Sequence, residues 1–141
     1  MRPSLLGSFL AFWILLSLFT SKAFSQESGL NHRWKVIYVG KFQNPKSQKR
    51  MEALFFEFDQ SSRAYFGSLG CNSVSGTFSL VGTDGILLKP NTSTLMTCPS
   101  MEVELDMQNA LEKTRAYKIE TGTLYLLDES GKTLMMLQKV D

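Results

Sequence analysis

The sequence predicts an α+β domain: a small, partly open antiparallel β-barrel-like sheet of about eight strands with one helix packed on it. Three observations carry that expectation. Short runs of alternating apolar and polar residues recur along the chain, separated by turns rich in Gly, Asn, Asp and Ser. One stretch, behind Pro99, switches to a helical period. Two strand runs in the C-terminal tail are apolar on both faces, which suits a sheet closed on itself with a helix covering one opening. The chain has 141 residues, 43% of them apolar and 20% charged, which is enough for one globular domain plus a targeting segment.

Met1 to Ser25 reads as a secretory signal peptide. Arg2 supplies the positive n-region, Leu5 to Phe19 the apolar stretch, and Ala23-Phe24-Ser25 the small residues before a cleavage site ahead of Gln26. As a helix the apolar stretch rises about 22 Å, short of a hydrocarbon core of about 30 Å, which favours a cleaved signal over a retained anchor. The first cysteine is Cys71, so no signal-junction cysteine is available for lipid attachment. The expected mature domain is 26–141, periplasmic or secreted, not integral to the membrane and monomeric.

That compartment makes Cys71 and Cys98 a natural disulfide pair; the alternative is two buried free thiols. There is no C-x-x-C spacing, and His32 is the only histidine, so neither a thioredoxin-like centre nor a Cys–His nucleophile has good material. Arg2 and Lys22 account for the formal charge of +2, and the chain from Gln26 onward is balanced. A neutral domain lacks the footprint that nucleic-acid binding requires. No metal or other cofactor is expected.

The strands follow in order. Trp34, Val36 and Tyr38 share one face of the first. Gly40 to Arg50 is a basic loop around Asn44-Pro45, either solvated or able to steer an acidic partner or a membrane headgroup. Leu54, Phe56 and Phe58 alternate with Phe55, Glu57 and Asp59; Asp59 to Ser62 turns, and Tyr65, Gly67 and Leu69 return. Gly76, Phe78 and Leu80 begin the next strand, then Ile86 to Lys89, and Pro90 to Pro99 is expected to be a connection. The helix has Ser100 as its expected N-cap, acidic residues Glu102, Glu104 and Asp106 near its positive end, and a buried stripe of Val103, Met107, Ala110, Leu111 and Thr114. Tyr117 and Ile119, Leu124 to Leu127, and Thr133 to Gln138 complete the strands.

Two elements in this chain resemble the META domain (HslJ-like) family. Gly70-Cys71-Asn72 followed by Ser75-Gly76 is similar to its G-C-N-x-x-S-G element, and Thr94-Leu95-Met96-Thr97-Cys98-Pro99 to its T-x-M-x-C-P element. The likeness continues through Glu104, Ala110-Leu111, Tyr117, Ile119, Leu124 to Asp128 and Gly131, with Trp34 and Val36 at the usual W-x-L opening. It is dense from Arg63 to Leu137 and thin from Gly40 to Leu54. The resemblance implies a small α+β, partly open barrel and an exported envelope component tied to stress or drug tolerance or, in parasites, to virulence, in a family without an established catalytic mechanism.

The motif residues also have local physical readings. Gly70 and Gly76 bracket a bend, Asn72 holds it by hydrogen bonds to nearby backbone, and Pro99 suits a helical first turn. The functional alternative is a polar pocket of Asn72, Ser73, Ser75, Thr94 and Thr97 beside the sulfurs and Met96. Asn91-Thr92-Ser93 fits a glycosylation acceptor in hosts with that machinery. Glu57 and Asp59 share an outward strand face, which reads as a solvated edge rather than a glycosidase pair. The expected function is a non-enzymatic binding or stress-tolerance module with an envelope protein as partner. The rival is a carrier that holds a lipid or other small apolar ligand against Phe55, Phe56, Phe66 and Phe78.

Overall fold

The computed structural model describes residues 29–140, so the expected signal segment lies outside the described residues. Within them the elements run β1 (Arg33–Val39), β2 (Phe42–Gln43), β3 (Phe55–Asp59), β4 (Ala64–Ser68), β5 (Ser73–Val81), β6 (Gly85–Ser93), α1 (Glu102–Lys113), β7 (Ala116–Glu120), β8 (Thr123–Leu127) and β9 (Thr133–Val140). All strand pairings are antiparallel, and from β3 to β9 each strand pairs with the next. β1 closes the ring, pairing with β9 on one side. On its other side Arg33 to Lys35 pair with β3, while Tyr38 and Val39 pair with β2.

The ring is not a strict barrel. β6 and β7 meet at one residue pair, Gly85 with Ala116, supported by Ile86 N–H to the Arg115 carbonyl at 3.0 Å and Tyr117 N–H to the Asp84 carbonyl at 2.8 Å. Beyond that point the two strands part. The chain between them forms α1, whose buried Met107, Ala110, Leu111 and Thr114 cover this side of the core.

Strand alternation fixes what lies inside. Trp34, Val36, Phe56, Phe58, Tyr65, Phe78, Leu124, Leu126, Met135 and Leu137 point inward and form one buried cluster with the helix residues. Two glycines make room for its rings. A Cβ at Gly67 would collide with the Phe56 ring, and one at Gly76 with the Tyr65 ring and the Lys89 carbonyl. Gly76 therefore serves close packing next to a bulge in β5, while Gly70, at φ +116, supplies the backbone freedom expected of it.

Four local expectations need correction. The basic loop contains a two-residue strand, β2, because Gly40 turns the chain tightly enough for Phe42 and Gln43 to pair back on β1. Pro90 is not the start of a connection: β6 continues to Ser93, and Pro90 is tolerated because β6 has no strand on its other side there. Ser100 is not the N-cap. Met101 holds that position without a side-chain cap, because the Gln48 side chain takes both backbone groups of Ser100, its N–H at 3.2 Å and its carbonyl. Pro99 accordingly precedes the helix rather than sitting in its first turn.

Of the four phenylalanines expected to line an interior, Phe56 and Phe78 are core residues, whereas Phe66 is exposed and Phe55 half-buried on the outer face. Packed side chains fill the inside of the ring. Glu57 and Asp59 do face outward; Glu57 pairs with Arg33 at 3.3 Å and Asp59 closes its own turn.

The β3–β4 turn is held by Asp59, which accepts hydrogen bonds from the Ser61 hydroxyl at 2.6 Å and the Ser62 hydroxyl at 2.7 Å. These bonds lower its carboxyl from 3.8 to about 2. A depressed carboxylate contributes stability above its unfolded pKa and loses it as the pH falls through the folded value. Asp59→Asn should therefore flatten the acid limb of a pH-stability profile between about pH 4 and pH 2; an unchanged slope would show that the turn is not coupled to folding.

Tyr65 carries the opposite signature. Its ring is buried, its Oη has no hydrogen-bond partner, and burial pushes the phenol from 10.0 up to about 12. The neutral form is favoured in the folded state, so this contribution is whole below pH 10 and is lost as the pH rises through about 12. Tyr65→Phe should raise the unfolding free energy by about 1 kcal/mol, by relieving an unsatisfied hydroxyl, and should remove the alkaline loss. Lower stability of this variant in denaturant titrations would mean that the hydroxyl makes a favourable contact.

Candidate functional site

The two sequence elements that stood out converge at one end of the ring. Cys71 and Cys98 are disulfide-bonded, with Cα atoms 6.0 Å apart, so the start of β5 is covalently tied to the segment leading into α1. Gly70 turns the chain so that two successive N–H groups, those of Cys71 and Asn72, point at the same acceptor, Glu104 Oε2, at 3.1 and 2.8 Å. Glu104 is only 3% exposed. A buried carboxylate is costly unless its oxygens are bonded, and its second oxygen accepts from Asn72 Nδ2 at 2.7 Å.

Asn72 spends its whole hydrogen-bonding capacity here. Nδ2 donates to Glu104 and to the Met96 carbonyl at 2.9 Å, while Oδ1 accepts from Met96 N–H at 2.7 Å and from the Thr94 hydroxyl at 2.8 Å. Only this orientation of the amide matches every donor with an acceptor. Thr94 Oγ1 in turn accepts from Ser73 N–H at 3.1 Å. Asn72, Thr94, Met96 and Glu104 thus form one closed network around the disulfide.

Of the expected polar pocket, Thr97 shares a recess with Asn72, Thr94 and Met96, whereas Ser75 lies elsewhere. Ser75 bonds Thr92 at 2.6 Å on the exposed face of β5 and β6, and Thr97 lies on the rim of an open recess of about 310 Å³. Sequence reasoning placed Glu104 in the family likeness and near the positive end of the helix but not in the core. A signal was available: Glu104 lies three residues before the buried Met107, a spacing that puts both on one helix face.

A second concavity, of about 390 Å³, lies on the outer face of the sheet under the basic loop. Its floor is Phe55 and Phe66, and its rim includes Arg33, Lys49 and Arg50. The Arg33 guanidinium sits 4.2 Å from the centre of the Phe55 ring while pairing with Glu57. The loop above it is docked onto the motif, since Gln48 N–H donates to the Gly70 carbonyl at 3.1 Å and Lys49 Nζ lies 2.8 Å from Met96 Sδ. Among the described residues no group of three or more His, Cys, Asp or Glu is arranged to hold a metal ion. Nor is any helix there long and apolar enough to cross a membrane.

Comparison with known proteins agrees with this geometry. The META domain family matches residues 27–141. No curated protein matches the sequence. Among solved structures, the chain is similar to a DUF4847 family protein from Bacteroides vulgatus ATCC 8482, with a TM-score of 0.55 and 17% identity over 79% of this chain and 96% of that one. It is also similar to a protein from Burkholderia xenovorans, with a TM-score of 0.55 and 19% identity over 78% of this chain and 82% of that one. At these identities the likeness establishes the fold.

If the network carries the fold, its members should be costly to change and strongly coupled. Asn72→Asp keeps the shape but turns a donor against Glu104, and should cost about 3 kcal/mol at neutral pH, with partial recovery in acid. Cys71→Ser and Cys98→Ser should each cost about 3–4 kcal/mol in oxidising buffer, and by similar amounts, because either opens the same loop. Chemical denaturation checks both; additive losses in a combined Asn72 and Glu104 variant would show that the two do not act as a unit.

Proposed function

This chain belongs to the META domain family, and on that premise we propose that it is an exported, non-enzymatic module of the cell envelope that acts by binding. One observation carries the reading: the Asn72 and Thr94 side chains of the two motifs are used up within one network with Met96 and Glu104. Asn72 has no donor or acceptor left for a ligand, and Glu104 already takes three N–H groups. A nucleophile with a base in hydrogen-bond reach is what chemistry would ask of this site, and His32 lies on the β1 side of the fold, against Trp34. The motifs build a frame. Recognition is then left to what the frame holds outward: Phe55 and Phe66 under Lys49 and Arg50.

The disulfide supports export, since such bonds persist in oxidising compartments and are rare in the cytosol. The carrier reading retains two clefts as support, the outer one and another of about 420 Å³ lined by Leu69, Val74, Leu88 and Leu111. Buried side chains occupy the ring interior, but the outer cleft of about 390 Å³ falls within the size of small-molecule sites.

Native mass spectrometry of the protein purified from its export compartment without detergent separates the two. The binding-module reading expects a monomer beginning at Gln26, lighter than the reduced chain by two hydrogens and free of adduct. A co-purifying small apolar adduct, lost on Phe66→Ala, would replace it with the carrier; a thiol-containing chain with an intact N-terminus would remove export.

A further inference from the structure

We propose that two loop tips beside the disulfide, residues 46–52 and 91–99, dock the protein onto an anionic lipid surface. The inference names the partner of the binding module and rests on that reading. Leu95 is 97% exposed, Met51 67% and Met96 41%. A leucine that bare, with Met96 next to it and Met51 two positions from the Lys49 that touches Met96, is not explained by folding, and exposed apolar side chains brought to one surface mark an interaction site.

The two tips form one surface because the fold fastens them to each other. Gln48 holds both backbone groups of Ser100, Lys49 Nζ lies 2.8 Å from Met96 Sδ, and Gln48 N–H donates to the Gly70 carbonyl at 3.1 Å. Cys98, at the foot of the second tip, is bonded to Cys71 on the same frame. The first tip is closed behind by the Lys46–Ala53 bridge and by Ser47 N–H to the Glu52 carbonyl at 2.8 Å. Met51 sits at its turn with φ 56, a left-handed conformation that residues with side chains adopt rarely. The ordering cost of presenting these residues is therefore met in the folded state rather than on binding.

Charge selects the partner. The tips carry Lys46, Lys49 and Arg50 against a single acid, Glu52, in a domain whose charges balance overall and whose remainder is therefore slightly acidic. Among the described residues none of these three cations makes an ion pair. Basic side chains flanking protruding apolar ones combine the two signals that hold a peripheral protein at a bilayer: headgroup attraction, and burial of apolar groups below the headgroups. A protein groove needs a shaped counterpart for each tip. A bilayer accommodates a side chain bare on nearly every side, as Leu95 is.

The test is sedimentation of the exported protein with vesicles of phosphatidylcholine alone and of phosphatidylcholine mixed with phosphatidylglycerol. Binding to the mixed vesicles is expected to be roughly tenfold tighter than to the neutral ones and to weaken with salt. A Leu95→Ser, Met51→Ser pair and a Lys46→Gln, Arg50→Gln pair should each weaken it roughly tenfold, with unchanged melting temperature and intact disulfide. These residues are exposed, so the variants should fold. No sedimentation with the mixed vesicles would overturn the proposal. So would equal binding to both vesicle types untouched by the variants. Capture of an acidic envelope protein that depends on the same four residues, without vesicle binding, would replace the bilayer by a protein partner. Any of these failures leaves the module reading standing; a measured catalytic turnover would remove that reading and leave the vesicle result untouched.

Discussion

Glu104 is the point at which the helix, the sheet and the 91–99 segment become one structure. Its carboxylate is almost fully buried, and burial is tolerable only because three N–H groups replace the water it gives up. Two come from consecutive backbone amides at the Gly70 turn, and the third from Asn72. Asn72 then passes the constraint on to Met96 and Thr94. The disulfide ties the same segments covalently. The chain between β6 and α1 has little apolar surface of its own to bury, since its residues from Thr94 to Thr97 are exposed, so this polar hub and the staple set its path.

The hub also accounts for how the ring is finished. β6 and β7 touch at one residue pair, and a sheet left open along the rest of that seam would expose the core. α1 closes it, and Glu104 is the anchor near the N-terminal end of α1, one turn before Met107 reaches the core. At the other end the Thr114 hydroxyl bonds back to the Ala110 carbonyl at 2.6 Å, and Arg115 leads directly into β7. On the opposite side of the ring, the sheet sorts its aromatic residues by parity. Phe56, Phe58 and Tyr65 stack inside, Phe58 meets Phe78 edge-on, and Phe55 and Phe66 are left outside. An aromatic-rich sequence thus gives a filled interior and an aromatic outer face together.

The side chains follow the same division. Residues that look chemically capable in the sequence, Asn72, Glu104, Thr94 and the two cysteines, are engaged in holding the fold. The side chains left facing outward are the cations of the basic loop, Phe66, and apolar residues at the loop tips, with Met51 outside the motifs and Leu95 and Met96 inside the second one. Rigid frames that present variable loops are a common way for small β domains to bind, because the frame meets the entropy cost of ordering the loops.

The sequence by itself determined the family, the strand alternation, the cysteine pair as a disulfide candidate and most of the helix stripe. Each of these depends on spacing along a short segment: period 2, period 3.6, or a few residues at fixed offsets. What it did not determine depends on contacts between distant segments. Ser100 has a good local claim to the N-cap, but Gln48, 52 residues away, takes its backbone groups first. Pro90 argues locally for a break, but a strand with no neighbour on one side accepts it. Glu104 has the local character of an exposed first-turn acid, and only the Gly70 turn, 34 positions earlier, makes a buried carboxylate stable there. The same holds for the joined loop tips, whose exposed residues are ordinary within each segment and form a surface only because the folded frame brings the segments together.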